Sequence, residues 1–174
     1  KKMRIALLTD HVPLKNVSLL ISKELIEKKV KILYRSLKLD FKINNPKLAI
    51  LGMNPHASDN GIIGEEEQKI IIPTINKLNQ IGLNIKGPFS ADGFFGQKNY
   101  LNFDGVLSCY HDQGLVGFKA ISFGSGINYT AGLSSVRTSP DHGTAFDIAG
   151  KNIANHSSFL KAVKSACQIW NNKR

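Results

Sequence analysis

Three aliphatic runs in this chain stop in the same way, and that repetition limits the fold more than any other feature. Residues 4–8 continue through Thr9 and Asp10 into His11, residues 48–51 through Gly52-Met53-Asn54-Pro55 into His56, and residues 104–109 through Tyr110 into His111. Short apolar runs bounded by turn residues read as buried strands. Longer stretches of helical period separate them, and such alternation builds a layered α/β structure around a largely parallel sheet. Weaker strand candidates lie at 83–86 and 120–123.

The first long helix is expected to open near Ser22, whose hydroxyl suits an N-cap, with Glu24 placed where the helix dipole favours an anion. Ile26, Val30, Leu33 and Leu37 then follow as one apolar stripe. A second helix opens on Glu65-Glu66-Glu67 and stops at Gly82. Pro73 kinks it or ends its first segment, because proline has no N–H to donate back along the helix. A last helix starts near Ser157 or Ser158 and sets Leu160, Val163, Cys167 and Trp170 on one face. No internal repeat or Gly/Ser linker interrupts the pattern. Only Lys1 and Lys2 precede the first strand and no Met stands at position 1, so the sequence is expected to be part of a longer chain.

At 174 residues, with 42% hydrophobic and 21% charged residues, the chain is long and apolar enough to bury a core. No run has the length of a membrane span, and the N-terminus does not read as a signal peptide, so a cytoplasmic protein without a membrane partner is expected. Cys109 and Cys167 sit inside apolar patterns without metal-type spacing and read as reduced core residues. The net charge of +10 raises the question of nucleic acid. Lys23, Lys28, Lys29, Lys31 and Lys38 fall on solvated helix faces, however, and unpatterned basic charge gives only non-specific attraction, so no nucleic-acid partner is expected. The same field would draw in a phosphorylated small anion.

Ligands of open α/β sheets bind beyond the carboxyl ends of the strands. If the three strands are parallel neighbours, His11, His56 and His111 enter one cleft. Three imidazoles with a free fourth position suit catalytic zinc, and they also accept cobalt, nickel or iron; magnesium prefers carboxylates. Asp112 and Gln113 stand ready to orient the third histidine by hydrogen bonds, and Gly114 is expected to let the backbone turn after the strand. Further on, Lys119, Asn128 and Arg137 recur every nine residues around a glycine-rich stretch, 124–132, which suits binding of a carboxylate or phosphate. A GxGxxG fingerprint is absent, which excludes the standard Rossmann cofactor loop.

The segments TDHVPL, GMNPHA, GPFSAD, CYHDQGL, NYTAGL and VRTSPDHGTA resemble, in order, those of the 4-hydroxythreonine-4-phosphate dehydrogenases of vitamin B6 biosynthesis. The likeness runs from about Arg4 to Ala166. His142-Gly143-Thr144-Ala145-Phe146-Asp147, continuing to Asn155, is also similar to the cofactor loop of isocitrate and isopropylmalate dehydrogenases. The resemblance implies their three-layer α/β/α fold with a mixed, largely parallel sheet, as one part of a two-domain enzyme. Residues 1–150 would form the α/β domain, and 151–174 a helix packing toward an N-terminal domain that this chain lacks. It implies metal ligation by His11, His56 and His111, with zinc first and magnesium or cobalt as alternatives. Substrate contacts would come from Lys119, Asn128 and Arg137, and NAD or NADP contacts from His142, Gly143, Thr144, Ala145, Asp147 and Asn155. Lys119, Asp112 and Asp92 are the candidates for proton transfer. The implied partners are a phosphorylated amino-acid substrate and a second subunit, in a homodimer whose active site lies at the interface. An alternative keeps the metal, cofactor or dimer contacts but lacks turnover, because the N-terminal half of the family's chain has no counterpart here.

Overall fold

The computed structural model of the protein describes residues 3–122 and 124–174. In chain order the elements are β1 (Ile5–Leu7), α1 (Val17–Leu20), α2 (Lys23–Leu39), β2 (Lys47–Leu51), α3 (Ile72–Gln80), β3 (Asn84–Phe89), α4 (Ala91–Gly96), β4 (Gly105–Ser108), α5 (His111–Ser122), β5 (Ile127–Tyr129), β6 (Thr138–Pro140) and α6 (Ser157–Lys173). Among the described residues the main sheet has four strands in the order β1-β4-β2-β3, all parallel, and β5 and β6 pair antiparallel beside it. The chain travels outward from β1 to β2 to β3 and then returns to lay β4 between β1 and β2. Crossovers of one hand put helices on opposite faces when the direction of travel reverses.

The packing follows that rule. Successive strand residues point to opposite faces, so Leu48 and Ile50 of β2 join one apolar layer and Ala49 and Leu51 the other. The first layer is closed by Ile26, Val30, Leu33 and Leu37 of α2, the stripe expected from sequence, with Ile75 and Leu78 of α3. Phe94 of α4 and Phe103 close the second. Each fully buried Leu or Ile contributes roughly 2 kcal/mol. The Ser22 cap forms as expected, its Oγ accepting from the Leu25 N–H at 3.1 Å. Near Pro73 the helix is wide over Glu67–Ile71 and becomes α-helical from Ile72, consistent with a proline that cannot donate to the preceding turn.

Three expectations are corrected. Residues 120–122 are the end of α5 rather than a strand, and Phe123 lies outside the described residues. Gly114 does not turn the chain. It sits within α5, where a Cβ would come within 2.5 Å of Ser108 Oγ and 2.7 Å of an Ile5 methyl, so it lets the helix lie close on β1 and β4. In α6 the buried residues are Ser158, Ala162 and Ile169, whereas Leu160, Val163, Cys167 and Trp170 are exposed. The helix is apolar on more than one side, and the smaller face is the one it lays on the β5–β6 hairpin.

That hairpin and α6 are tied to the main body by Asp40 at the end of α2. Its Oδ2 accepts from Ser36 Oγ and from the Tyr129 hydroxyl, both at 2.6 Å, and its carbonyl accepts from Asn172 Nδ2 at 2.6 Å. Burial, then the hydrogen bond and charge of Asp40, push the Tyr129 phenol up to about 12 from an ordinary 10.0. The folded phenol therefore holds its proton longer than the unfolded one, and its stabilising share is intact below pH 10 and lost as the pH climbs toward 12. Tyr129→Phe should cost about 1–2 kcal/mol at neutral pH, and its urea midpoint should fall less than that of the wild type when the buffer is taken from pH 10 to 12. Gly114→Ala should cost roughly 1–3 kcal/mol in the same melts, because the added methyl has to displace packed atoms.

Candidate active site

The pairing of β1 with β4 runs past both strand ends: the Leu8 N–H donates to Ser108 O at 2.9 Å and the Thr9 N–H to Cys109 O at 3.1 Å. Thr9 Oγ1 adds a third bond to Cys109 O at 2.8 Å. Parallel neighbours that stay zipped to their ends deliver the next residues side by side. Here these are Asp10-His11 and His111-Asp112. The two imidazoles lie 5.7 Å apart at an interplanar angle of 40°, and one ligand atom each from Asp10, His11 and His111 lies within 4.8 Å of the others. His111 Nδ1 is 2.6 Å from Asp112 Oδ1, and His11 Nδ1 is 3.5 Å from Asp10 Oδ1. A carboxylate at Nδ1 favours the proton there and leaves Nε2 as the basic nitrogen. Two imidazoles and a carboxylate form a donor set suited to zinc or a similar first-row divalent ion. A concavity of about 360 Å³ adjoins them, walled by Val12, Leu14, Val17 and Tyr110.

His56 stands apart from this pair. The pairing of β2 with β4 ends at Ile50↔Leu107, and the cluster of ligand atoms formed by Asp10, His11 and His111 does not include His56. Beyond Pro55 the chain turns left-handed, with φ between 43° and 68° from His56 to Asn60. Its charge instead reaches Asp92, beyond β3, whose carboxyl is held below the ordinary range by the Ser90 hydroxyl first, then by the Gly93 N–H and by His56. The strand ends thus bring His11 to His111 and His56 toward Asp92. Gln113 joins the two halves: Cys109 N–H donates to its Oε1 at 2.7 Å, and its Nε2 donates to Gly52 O at 2.6 Å.

Asp10 and Glu67 belong to the site region although their pattern in sequence does not single them out. Asp10 directly precedes a strand-end histidine, which is the signal that would have found it. Glu67 reads as one of three acids opening a helix, yet it is fully buried and accepts from Met53 N–H at 2.6 Å and Asn54 N–H at 2.8 Å.

Lys119 lies two turns along α5 from His111, about 12 Å on the helix axis. Its Nζ is 3.8 Å from Asp141 Oδ1. Asn128 on β5 is exposed, and Arg137, beside β6, donates from Nη1 to Thr130 Oγ1 at 2.9 Å. Asp141 also rests against Gly126, where a Cβ would be 2.6 Å from its Oδ2, so one carboxylate links Lys119 to the hairpin bearing Asn128. Beyond the hairpin, His142, Gly143, Thr144 and Asp147 are exposed, and Ala145 turns left-handed at φ 51°. Asn155 Oδ1 accepts from the Ser157 N–H at 2.8 Å, which places it at the first turn of α6.

A family model described as "Pyridoxal phosphate biosynthetic protein PdxA" matches residues 1–166. The chain belongs to this family. A 4-hydroxythreonine-4-phosphate dehydrogenase of Bacteroides thetaiotaomicron is 50% identical over 171 residues, covering 98% of this chain and 47% of that protein. One from a Sulfurihydrogenibium species is 51% identical over 166 residues, covering 95% of this chain and 51% of its own. The crystal structure of 4-hydroxythreonine-4-phosphate dehydrogenase from Klebsiella pneumoniae superposes with a TM-score of 0.84 at 34% identity, over 98% of this chain and 50% of that one. The chain therefore spans about half the length of the relatives it matches, and its α/β fold is that of this PdxA family. No helix among the described residues is long and apolar enough to cross a membrane.

Of the two cysteines, Cys109 is buried at the site's floor, its Sγ donating to Leu51 O at 3.3 Å, whereas Cys167 is exposed on α6, contrary to the expectation of a core residue. Burial, followed by the charge of Glu67, pushes the Cys109 thiol up to about 12. A disulfide-exchange reagent at pH 8 should therefore count Cys167 alone in the native protein and both thiols in guanidinium, because the thiolate is the reactive form.

Proposed function

We propose that this chain forms the metal- and substrate-contacting half of a cytoplasmic, NAD-dependent 4-hydroxythreonine-4-phosphate dehydrogenase. The observation that carries the reading is the His11–His111 pair at the ends of adjacent strands, each ring backed by its own aspartate. The reaction is oxidation of 4-phosphooxy-L-threonine at its hydroxyl carbon, giving a 2-amino-3-oxo acid that loses carbon dioxide to leave 3-amino-2-oxopropyl phosphate.

His11, His111 and His56 would hold the divalent metal, with Asp10 as a further donor; zinc suits the donors best, and cobalt or magnesium are the alternatives. When bound, the metal supplies positive charge beside the oxygen on which charge develops in both steps. His142, Gly143, Thr144, Ala145, Asp147 and Asn155 would hold NAD, or NADP, which accepts the hydride. Asp112 keeps the His111 ring in one orientation and, with Asp92, is a candidate to receive the hydroxyl proton. Its neighbours hold the Asp92 carboxyl below the ordinary range, which keeps it ionised but makes it a weaker proton acceptor. Arg137 and Asn128 bind the anionic ends of the substrate, where a guanidinium gives a bidentate grip. Lys119 of α5, facing Asp141 beside that hairpin, adds charge and a transferable proton for the decarboxylation.

The exposed apolar face of α6, with Phe159 at 60% and Trp170 at 52%, supports the view that residues 151–174 pack toward the rest of the enzyme. A homodimer with a shared site is part of the same reading. A second reading, binding without turnover, is favoured by the exposure of the cofactor segment, where Phe146 is 81% open to solvent.

Elemental mass spectrometry after dialysis tests the proposal. Roughly one divalent ion per chain is expected, lost in a His11→Ala/His111→Ala variant and retained in Arg137→Ala. Formation of NADH by this chain from the phosphorylated substrate would support the first reading, and metal without NADH the second. Absence of metal from the wild type after reconstitution with zinc or cobalt would sink both.

A further inference from the structure

Glu67 has no place in the chemistry above, yet it is buried among the most costly groups to bury. A carboxylate without water has to be met by donors. Glu67 is met by three from one short segment: Oε1 accepts from the Met53 and Asn54 N–H groups at 2.6 and 2.8 Å, and Oε2 from Asn54 Nδ2 at 2.8 Å. Glu66 Oε2 takes the second hydrogen of the same amide, also at 2.8 Å. The Asn54 side chain fills a slot beside Gly64, where a Cβ would stand 2.5 Å from Nδ2 and where φ is +90°. The carboxylate therefore closes a cradle built around one residue.

What Asn54 controls follows from its position. It stands three residues past the end of β2, and only Pro55 separates it from His56. Proline fixes its own φ, so little freedom lies between the gripped amide and the histidine. The chain is left-handed from His56 to Asn60, a conformation that costs energy for most L-residues, Ala57 and Ser58 among them, and the segment is held from its anchored start. Ser58 secures its far side, fully buried and with Oγ accepting from the Gly61 N–H at 3.2 Å.

We propose that Glu67 is the positioning residue for His56: through Asn54 it fixes the point and direction from which the third strand-end histidine enters the metal site. This rests on His56 being a metal ligand, as argued above. A Glu67→Gln substitution keeps the volume but turns one acceptor into a donor that faces other donors.

The test is titration of the 174-residue chain with Co²⁺ alone, read by its visible absorption, in wild type, Glu67→Gln, His56→Ala and the double variant. Glu67→Gln should weaken Co²⁺ by about tenfold, within the range for groups that orient metal ligands. His56→Ala should weaken it at least as much, and Glu67→Gln should add nothing to that loss. If Glu67→Gln binds Co²⁺ like the wild type while His56→Ala does not, the proposal is wrong and the ligand reading stands. An equal further loss in the His56→Ala background also overturns it, since Glu67 would then act on the fold as a whole. If His56→Ala binds Co²⁺ normally, the ligand reading itself fails and the proposal with it. Should Glu67→Gln not fold, Asn54→Ala removes the gripped amide and leaves the carboxylate two backbone donors. A smaller loss of the same sign, absent in the His56→Ala background, is then expected, and no loss overturns the proposal.

Discussion

The pairing of β4 with its two neighbours is the constraint on which the remaining structure depends. β4 is buried along its whole length and enters the sheet last, between β1 and β2. Its insertion brings the ends of two strands about a hundred residues apart in sequence into contact. Loop closure over that length is entropically unfavourable, and it is compensated by apolar layers on both faces. Gly105 and Gly114 allow this: side chains of α2 already crowd the place of a Cβ at Gly105, and α5 lies against β4 at Gly114. The site inherits its precision from this close packing, because the Asp10-His11 and His111-Asp112 pairs follow the zipped ends directly.

The candidate site has one part that continues directly from paired strands and one that does not. His11 and His111 continue from paired strands. His56 instead lies five residues past the end of β2, in a left-handed turn that follows the anchored Asn54. The β5–β6 hairpin depends on another tether, the Asp40 carboxylate that receives the Tyr129 hydroxyl next to Asn128. Two buried acids, Glu67 and Asp40, thus fix the segments that carry His56 and Asn128, while exposed acids, Asp10, Asp92 and Asp112, stand at the open site.

Some of this was legible from the residues. The stripe of α2, its Ser22 cap and the β1, β2 and β4 strands follow from periodicity and capping chemistry, which act within a few residues. Reading 120–123 as a strand failed because a short apolar run fits either period, and α5 simply continues through Ala120. The α6 stripe failed for a related reason. Its apolar residues occupy more than one face, and the neighbour to hand, a small hairpin, receives Ala162 and Ile169 rather than Leu160 and Trp170. Glu67 was hidden among three consecutive glutamates, since nothing local distinguishes an acid that will be buried from two that will not.

The sequence by itself determined the alternation of strands and helices, the residues able to face the core, and the family, because periodicity, capping and motif order are written along the chain. It also determined that histidines stand beyond three strand ends. Only the tertiary structure decided which of those ends meet. Strand order and register are set by long-range packing, and they place His11 against His111 while carrying His56 one step aside toward Asp92.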